Sequence, residues 1–491
     1  MSELLDPEGA ERLEFEHPDE YMRRREFLAR TALTAGLAGM STLLPGQTLV
    51  AEAAKRQRRN QLPSPRNLPI DTFVLLMMEN RSFDHYLGWM PHADGRQAGL
   101  TYVDKNGKSF STRPLAPDWQ GCLFHDPDHS WDGGRTQLNG GRCDGFLRSG
   151  NNDQLSISYY RKQDLGFLPA AALEFTTFDH FHCSLMGPTL PNREYMHAAQ
   201  SYGMVENNFP DPPGFPDTTI FAALKARGID SRYFFCDVPV SALWGAPGLA
   251  RSGRVEEYYA RCARGTLPNV SFVDPSFLNE EGGTSGDEHP HGDVRVGQAF
   301  MSDVVHAFME SPQWKRGALF IVYDEWGGFF DHAPSPRVPD LRNSSDISKD
   351  FGLMGFRIPA VAVSPWARRK HVSHSTFAFE SILKLIEYRF GLKPLNPRDA
   401  HAQNIGVAFD WESKPRLELP SLPHPAHVVS QPCAVSGAGL PTTEVPPAPH
   451  DLFELVTSGY LDKLGFDYKQ PTLDSIVRQP DTIRQAHALG G

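Results

Sequence analysis

Short, almost unbroken apolar runs punctuate the chain between residues 70 and 364. Ile70-Asp71-Thr72-Phe73-Val74-Leu75-Leu76-Met77-Met78 is the longest, and similar runs recur at residues 231–236, 269–273, 318–323 and 358–364. Strands that are apolar on both faces belong inside parallel sheets covered on each side. Between them lie stretches of helical period, residues 192–202, 217–227 with Asp217 as N-cap, 294–310 and 376–390. Strands alternating with helices predict an α/β fold, a central and mainly parallel sheet flanked by helices and joined by right-handed crossovers. Residues 91–166 break this rhythm. Rich in Gly, Asp and Asn and poor in apolar period, they read as a loop-rich insertion covering the edge of the sheet. From residue 398 onward a proline-rich segment, residues 415–449, and a last helix, residues 452–464, are expected to wrap the core. Residues 55–491 are accordingly expected to fold as a single domain.

Residues 1–54 read as an address rather than as fold. An acidic leader ends in Arg23-Arg24-Arg25-Glu26-Phe27-Leu28, then come a weakly apolar run and Ala51-Glu52-Ala53, the order of a charged region, an apolar region and a small-residue cleavage site. The paired arginines resemble a twin-arginine export signal, so the expected partner is an export machinery for folded proteins and the expected location secreted, periplasmic or cell-surface. The run contains Arg30, Gly36 and Gly39 and falls short of a membrane span. With 48 basic against 59 acidic residues and a net charge of -11, the chain lacks the clustered cations of a general nucleic-acid binder. Its 6 cysteines show no C-x-x-C spacing, which argues against a zinc knuckle or a thioredoxin-like motif and leaves any disulfide pairing open.

The chemistry gathers where predicted strands end. Glu79-Asn80 follows the first apolar run and Asp324-Glu325 follows the run at 318–323. Polar pairs directly after buried strands are costly unless something pairs with them, and a cation does so economically. In open parallel sheets ligands bind beyond the strands' carboxyl ends. Gly187-Pro188-Thr189 precedes a helical stretch, so the Thr189 hydroxyl is expected near the positive end of a helix, where phosphate is also favoured. Thr189 alone would read as a cap; beside the two acidic pairs it becomes the candidate nucleophile. Histidines crowd these loops. His289, His332 and His129 are the candidates for proton transfer and charge neutralisation, with His125 and His291 behind them. His85 and Asp84 read as locks on their own loop, while Arg81 and Arg193 could hold phosphate oxygens or pair with nearby acids. Oxygen-only ligands favour calcium, magnesium or manganese over zinc.

Met78-Glu79-Asn80-Arg81-Ser82-Phe83-Asp84-His85-Tyr86 with Gly88, Gly187-Pro188-Thr189 with Asn192-Arg193, and Tyr323-Asp324-Glu325 with Gly327-Gly328-Phe329-Phe330-Asp331-His332 together resemble the bacterial phosphoesterase family of secreted phospholipases C and acid phosphatases, part of the alkaline phosphatase-like superfamily. Ser364-Pro365 and the segment 383–392 extend the match. The resemblance implies a divalent metal held by Glu79, Asn80, Asp324 and Glu325, with the nucleophile Thr189 also bound to it. Threonine at that position leans to the phospholipase C branch, hence to a phospholipid substrate, a phosphothreonine intermediate and transient contact with a membrane surface. Phe329, Phe330, Trp366 or the insertion could supply that contact, although core packing is the simpler reading of each aromatic. Acid phosphatase action on phosphomonoesters is the alternative. A sulfatase is disfavoured because no Cys or Ser stands in a C-x-P-x-R context, and a non-enzymatic surface-binding protein because no ligand or nucleophile is missing. The chain departs from the pattern at Trp326, where many relatives carry His, and lacks the long C-terminal extensions of the larger phosphocholine-specific members.

Overall fold

The structure, a computed structural model, describes residues 62–280, 282–344, 349–433 and 452–469. The export signal expected within residues 1–54 lies outside the described residues. The described residues from Pro63 onward form one compact unit. Its strands are, in chain order, β1 Thr72–Met78, β2 Thr101–Val103, β3 Ser109–Ser111, β4 Arg113–Pro114, β5 Ser158–Tyr159, β6 Thr176–Phe178, β7 Ser231–Phe235, β8 Ser252–Arg254, β9 Val270–Val273, β10 Gly317–Tyr323, β11 Val361–Val363 and β12 His371–Ser373. Eight of them make the central sheet in the order β12-β6-β11-β10-β1-β9-β7-β8. β11 runs against both neighbours and every other pairing in this sheet is parallel.

Every residue of β1 and β10 is buried, as an apolar run covered on both faces requires. The two strands pair in register, Met78 opposite Tyr323, and Leu76 of β1 stands opposite Val273 of β9. Whatever follows Met78, Tyr323 and Val273 therefore leaves the sheet side by side, in its middle and at its carboxyl end.

Helices lie at Thr189–Ala198, Ile220–Ala226, Val294–Met309 and Phe379–Phe390. The first begins three residues earlier than the periodicity suggests, because Pro191 falls within the first turn, where its missing N–H costs nothing. Asp217 is not the N-cap of the second. Thr219 caps it, its hydroxyl accepting from the Ala222 amide at 3.2 Å, while Asp217 accepts from the Thr219 hydroxyl at 2.9 Å. The expected last helix is two short ones, Glu454–Thr457 and Tyr460–Lys463, broken at Gly459 with φ 74°.

Residues 91–166 contain the β2–β3 hairpin, the β4–β5 pair and the helix Trp131–Leu138. They lie over the carboxyl ends of the central strands rather than over an edge, as the Phe330 amide bonded to Ser156 O at 2.8 Å and the Tyr160 amide bonded to His85 O at 3.0 Å show. Cys122 of this cover is disulfide-bonded to Cys433, the end of a described segment that crosses the helix Val294–Met309 through Ser302 Oγ to Pro423 O at 3.2 Å. No described helix is long and apolar enough to cross a membrane.

Candidate active site

Glu79, Asn80, Asp324 and Glu325 are all fully buried at the paired ends of β1 and β10. Asp324 Oδ1 accepts from the amides of Asn80 at 2.9 Å and of Glu325 at 2.7 Å, so one carboxylate oxygen ties the two strand ends together. Glu325 Oε2 accepts from the Gly327 amide at 2.6 Å. Gly327 and Gly328 have φ of 62° and 66°, and a Cβ on Gly327 would lie 2.2 Å from Asn80 O. Only glycine permits this double left-handed turn so close to the first strand's end. Asn80 itself has φ 58°, a conformation asparagine tolerates better than most residues.

Thr189 is the first residue of its helix. Asn192 sets its place: the side-chain Nδ2 donates to Gly187 O at 2.8 Å and Leu185 O at 3.1 Å, and Oδ1 accepts from the Leu185 amide at 2.9 Å. The Thr189 hydroxyl donates to Glu79 Oε2 at 3.4 Å. One turn on, Arg193 resolves its two sequence readings in favour of pairing with acids. Its Nε donates to Glu79 Oε1 at 2.8 Å and its Nη1 lies 3.0 Å from Asp274 Oδ2.

Glu79, Asp274 and Asp324 thus surround one guanidinium, with the Glu325 carboxylate next in chain to Asp324, an excess of negative charge in a buried volume. Burial, and then the charge of Asp324, push the Glu79 and Glu325 carboxyls well above the usual carboxylate range. Asn80 Oδ1, Asp324 Oδ2 and Glu325 Oε1 make no hydrogen bond. Three buried oxygen acceptors on one pair of strand ends are costly unless a positive charge joins them. Glu79, Asn80, Asp324 and Glu325 are oxygen donors of the kind that could hold a hard divalent cation, and the Thr189 hydroxyl lies 3.4 Å from Glu79 Oε2.

The cover adds imidazoles. His129 Nδ1 donates to Pro127 O at 2.8 Å, and its Nε2 lies 4.0 Å from Glu325 Oε1. Its ring meets that of His289 edge to face at 5.6 Å between centroids. His289 Nδ1 is tied to Pro290 O, and its Nε2 lies 4.0 Å from Asp126 Oδ2. Asp126, His129 and His289 offer ligand atoms within 4.8 Å of one another. Burial, and then the charge of His129, hold His289 well below the usual histidine range. His125 and His291 stand behind this pair. The His125 amide donates to Asp153 Oδ2 at 2.9 Å, and His291 Nε2 bonds Phe124 O at 3.0 Å.

His332 belongs to a different network. Nδ1 contacts Asp84 Oδ2 at 2.5 Å, Nε2 contacts Asp94 Oδ1 at 3.1 Å, and Arg357 pairs with both Asp84 and Asp331. Its partners are these groups and not the acids around Thr189. Asp84 and His85 lock their loop: Asp84 also accepts from the Arg96 amide at 2.9 Å, and His85 Nδ1 bonds Ser158 O at 2.6 Å. Arg81 bonds Glu288 O through Nε at 2.8 Å and lies over the Phe329 ring. Trp326 is buried and donates to Gln137 Oε1 at 2.6 Å, a packing role against the cover helix.

Two residues of this centre escaped the sequence reading. Asp274 follows the apolar run of β9 as the two acidic pairs follow theirs, so the same rule applied to residues 269–273 points to it. Asp126 stands between the two histidines of His125-Asp126-Pro127-Asp128-His129, and nothing in the sequence separates it from Asp128, which instead accepts from the Ser130 hydroxyl at 2.6 Å.

Comparison with known proteins identifies the family. The model of the Phosphoesterase family matches residues 70–393. Phospholipase C A of Mycobacterium tuberculosis is 31% identical over 473 residues, covering 82% of this chain and 88% of its own. Non-specific phospholipase C1 of Arabidopsis thaliana is 30% identical over 411 residues, covering 76% of this chain and 77% of its own. Among solved structures, a protein in the alkaline phosphatase superfamily from Vibrio parahaemolyticus aligns with a TM-score of 0.34 at 12% identity, over 70% of this chain and 71% of its own. With two thirds of its length matched by the family model and an acidic centre at the ends of β1 and β10, the chain belongs to the Phosphoesterase family, hydrolases that act on phosphoric ester bonds.

Proposed function

We propose that the chain is an exported, metal-dependent phospholipase C-type enzyme that opens a phospholipid phosphodiester through a phosphothreonine on Thr189. The observation that carries this reading is the Thr189 hydroxyl, held at a helix start 3.4 Å from Glu79 Oε2 among buried acids. The relatives named phospholipase C favour a lipid phosphodiester over a phosphomonoester. When bound, a divalent cation such as calcium, magnesium or manganese makes the hydroxyl more acidic and stabilises charge on the phosphoryl group. Thr189 Oγ1, its proton released to solvent, then bonds to phosphorus as the bond from phosphorus to the diacylglycerol oxygen breaks, and it regains a proton from solvent when the phosphothreonine is hydrolysed. His289 protonates the departing oxygen. Its pKa is low in the free site, and the phosphate anion of the substrate raises it. Water next attacks the phosphothreonine, returns its proton to His289, and releases the phosphorylated headgroup and free Thr189. His129 supports charge on the phosphoryl oxygens. His332 acts at one remove, by holding Asp84 and the loop that follows Glu79 and Asn80.

Export rests on Arg23-Arg24-Arg25 and the apolar run behind them, and the Cys122–Cys433 disulfide suits an oxidising compartment. Contact with a lipid surface falls to the cover. Phe329 and Phe330 are buried, and Trp366 donates to Lys315 O at 3.1 Å, just ahead of β10 and so at the opposite end of the sheet from the site. Leu123, three residues before Asp126, is 71% exposed.

The deciding assay uses mature protein with a divalent metal on phosphatidylcholine vesicles and on a simple phosphomonoester, beside Thr189→Ala. Diacylglycerol released by the native protein alone supports the proposal. Hydrolysis of the monoester only, again lost in the variant, moves the assignment to acid phosphatase. Full activity in the variant overturns Thr189 as nucleophile.

A further inference from the structure

Three segments far apart in the chain converge behind the two histidines of the site, and one side chain joins them. Gln120 of the cover directs Nε2 at Gly283 O (3.1 Å), His291 O (3.2 Å), Ser430 Oγ (3.3 Å) and Gln431 O (2.8 Å). The first two acceptors bracket the loop that carries His289; the last two belong to the segment ending at Cys433. A carboxamide has two N–H groups, so these four acceptors share them and the amide has one place to be. Independent contacts close the same junction. The Cys433 amide donates to Gly282 O at 3.0 Å, the Ser430 hydroxyl to Gly283 O at 2.5 Å, and the Val294 amide to Trp119 O at 3.1 Å. Gly283 sits at the centre with φ 79°. A Cβ there would lie 2.9 Å from His291 O, 3.0 Å from Cys433 Sγ and 3.2 Å from Gln120 Nε2, one atom from each segment. The Cys122–Cys433 disulfide crosses the junction covalently, four residues before Asp126 and seven before His129.

We propose that Gln120 is a positioning residue for His289, and that the Cys122–Cys433 disulfide locks the same junction so that His129 and His289 keep their edge-to-face relation. The disulfide spans 311 residues, which makes the segment ending at Cys433 a working part of the site's support rather than a tail. Because the histidines come from separate loops, their spacing depends on the junction and not on the sheet. Misplacement of a catalytic group by about 1 Å can cost about a hundredfold in rate. This inference rests on the proposed role of His289.

The test compares full-length mature protein with Gln120→Glu, which keeps the shape and loses both donors, with Gln120→Asn, and with the pair Cys122→Ser and Cys433→Ser. Each is also made in a His289→Ala background. The expected result is a kcat lower by about tenfold to a hundredfold in Gln120→Glu and in the double serine variant, at little changed KM and bound metal. Partial recovery is expected in Gln120→Asn, and no further loss from either change once His289 is alanine. Losses that multiply with His289→Ala, or unchanged kcat in Gln120→Glu, overturn the proposal. Hydrogen exchange by mass spectrometry separates this failure from failure of the site reading. Faster exchange in residues 283–293 of Gln120→Glu, with β1 unchanged, upholds the junction even if His289→Ala proves fully active, whereas unchanged exchange there sinks it.

Discussion

Arg193 grips Glu79 by a single oxygen: Nε donates to Oε1 at 2.8 Å and Nη2 lies 2.6 Å from the same atom, which leaves Oε2 to the Thr189 hydroxyl. The guanidinium also meets Asp274 and stands 4.0 Å from Asp324 Oδ2. It is therefore a fixed positive charge inside a ring of acids. Arg193→Met leaves those acids buried and uncompensated, and breaking such a pair costs about 3–5 kcal/mol. The loss should be largest in metal-free protein and shrink as divalent cation is added, because a cation that binds only the folded state stabilises it by mass action. Denaturant unfolding with and without metal measures both. An equal loss in the two conditions would show that Arg193 does not share its acids with a cation.

Asn80 offers the opposite case. Its side-chain Oδ1 and Nδ2 make no hydrogen bond within the protein, and its φ of 58° is open to glycine at no steric cost. Asn80→Gly should leave metal-free stability within about 1 kcal/mol of the native value. Affinity for the divalent cation should fall by about tenfold to a hundredfold, comparable to what loss of a supporting group does at other metal sites. Calorimetric titration with calcium, magnesium and manganese on both proteins checks this, and unchanged affinity for all three removes Asn80 from the ligand set.

The sheet was legible because β1, β7, β9, β10 and β11 each bury an apolar run, and strands covered on both faces leave that mark whatever their direction. β6, β8 and β12 were not: each has three residues with polar ones among them, such as Ser252-Gly253-Arg254, whereas the equally short β11 sits inside the longer apolar run 358–364. In the site, Glu79-Asn80 and Asp324-Glu325 were legible because a strand end fixes where the next two residues go. The loops were legible only as to composition. His332 follows the Gly-Gly turn of the second acidic pair by four residues, yet Asp84, Asp94 and Arg357 turn it into another network, which local sequence does not encode. Asp126 and the Gln120 junction depend on contacts across more than 160 residues, and the apolar pattern carries no information at that range.

His332 lends the fold a pH dependence of definite sign. Burial acts to lower its pKa, but the hydrogen bond and charge of Asp84, with Asp331, outweigh it and raise the imidazole above its ordinary value near 6.5. A folded pKa above the unfolded one means stability that is fully present below pH 6.5 and is lost as pH rises through the folded value. The native Tm should therefore decline as pH rises above about 6.5 more than that of His332→Gln. Thermal scans of both proteins at half-unit steps test this, and parallel curves for the two would show that His332 is not charged where Asp84 and Asp94 hold it.

Lipid access is the last point on which the two ends of the sheet differ. Trp366 is packed at the end remote from Thr189, near Lys315 and beside Trp411 at 6.2 Å between ring centroids, so it has no route to the substrate. Leu123 projects from the cover within the turn closed by the Phe124 amide to Gly121 O at 2.9 Å and is tethered next door by Cys122. A held, exposed leucine loses little entropy on entering a lipid surface and gains about 1.5–3 kcal/mol when its side chain leaves water. Leu123→Asp should reduce the rate on phosphatidylcholine vesicles by about tenfold or more and leave hydrolysis of a soluble short-chain phosphodiester unchanged. Trp366→Ala should alter neither rate. A Leu123→Asp variant that is equally slow on both substrates would place the defect in the cover's hold on His129, and the lipid surface would have to meet the protein elsewhere.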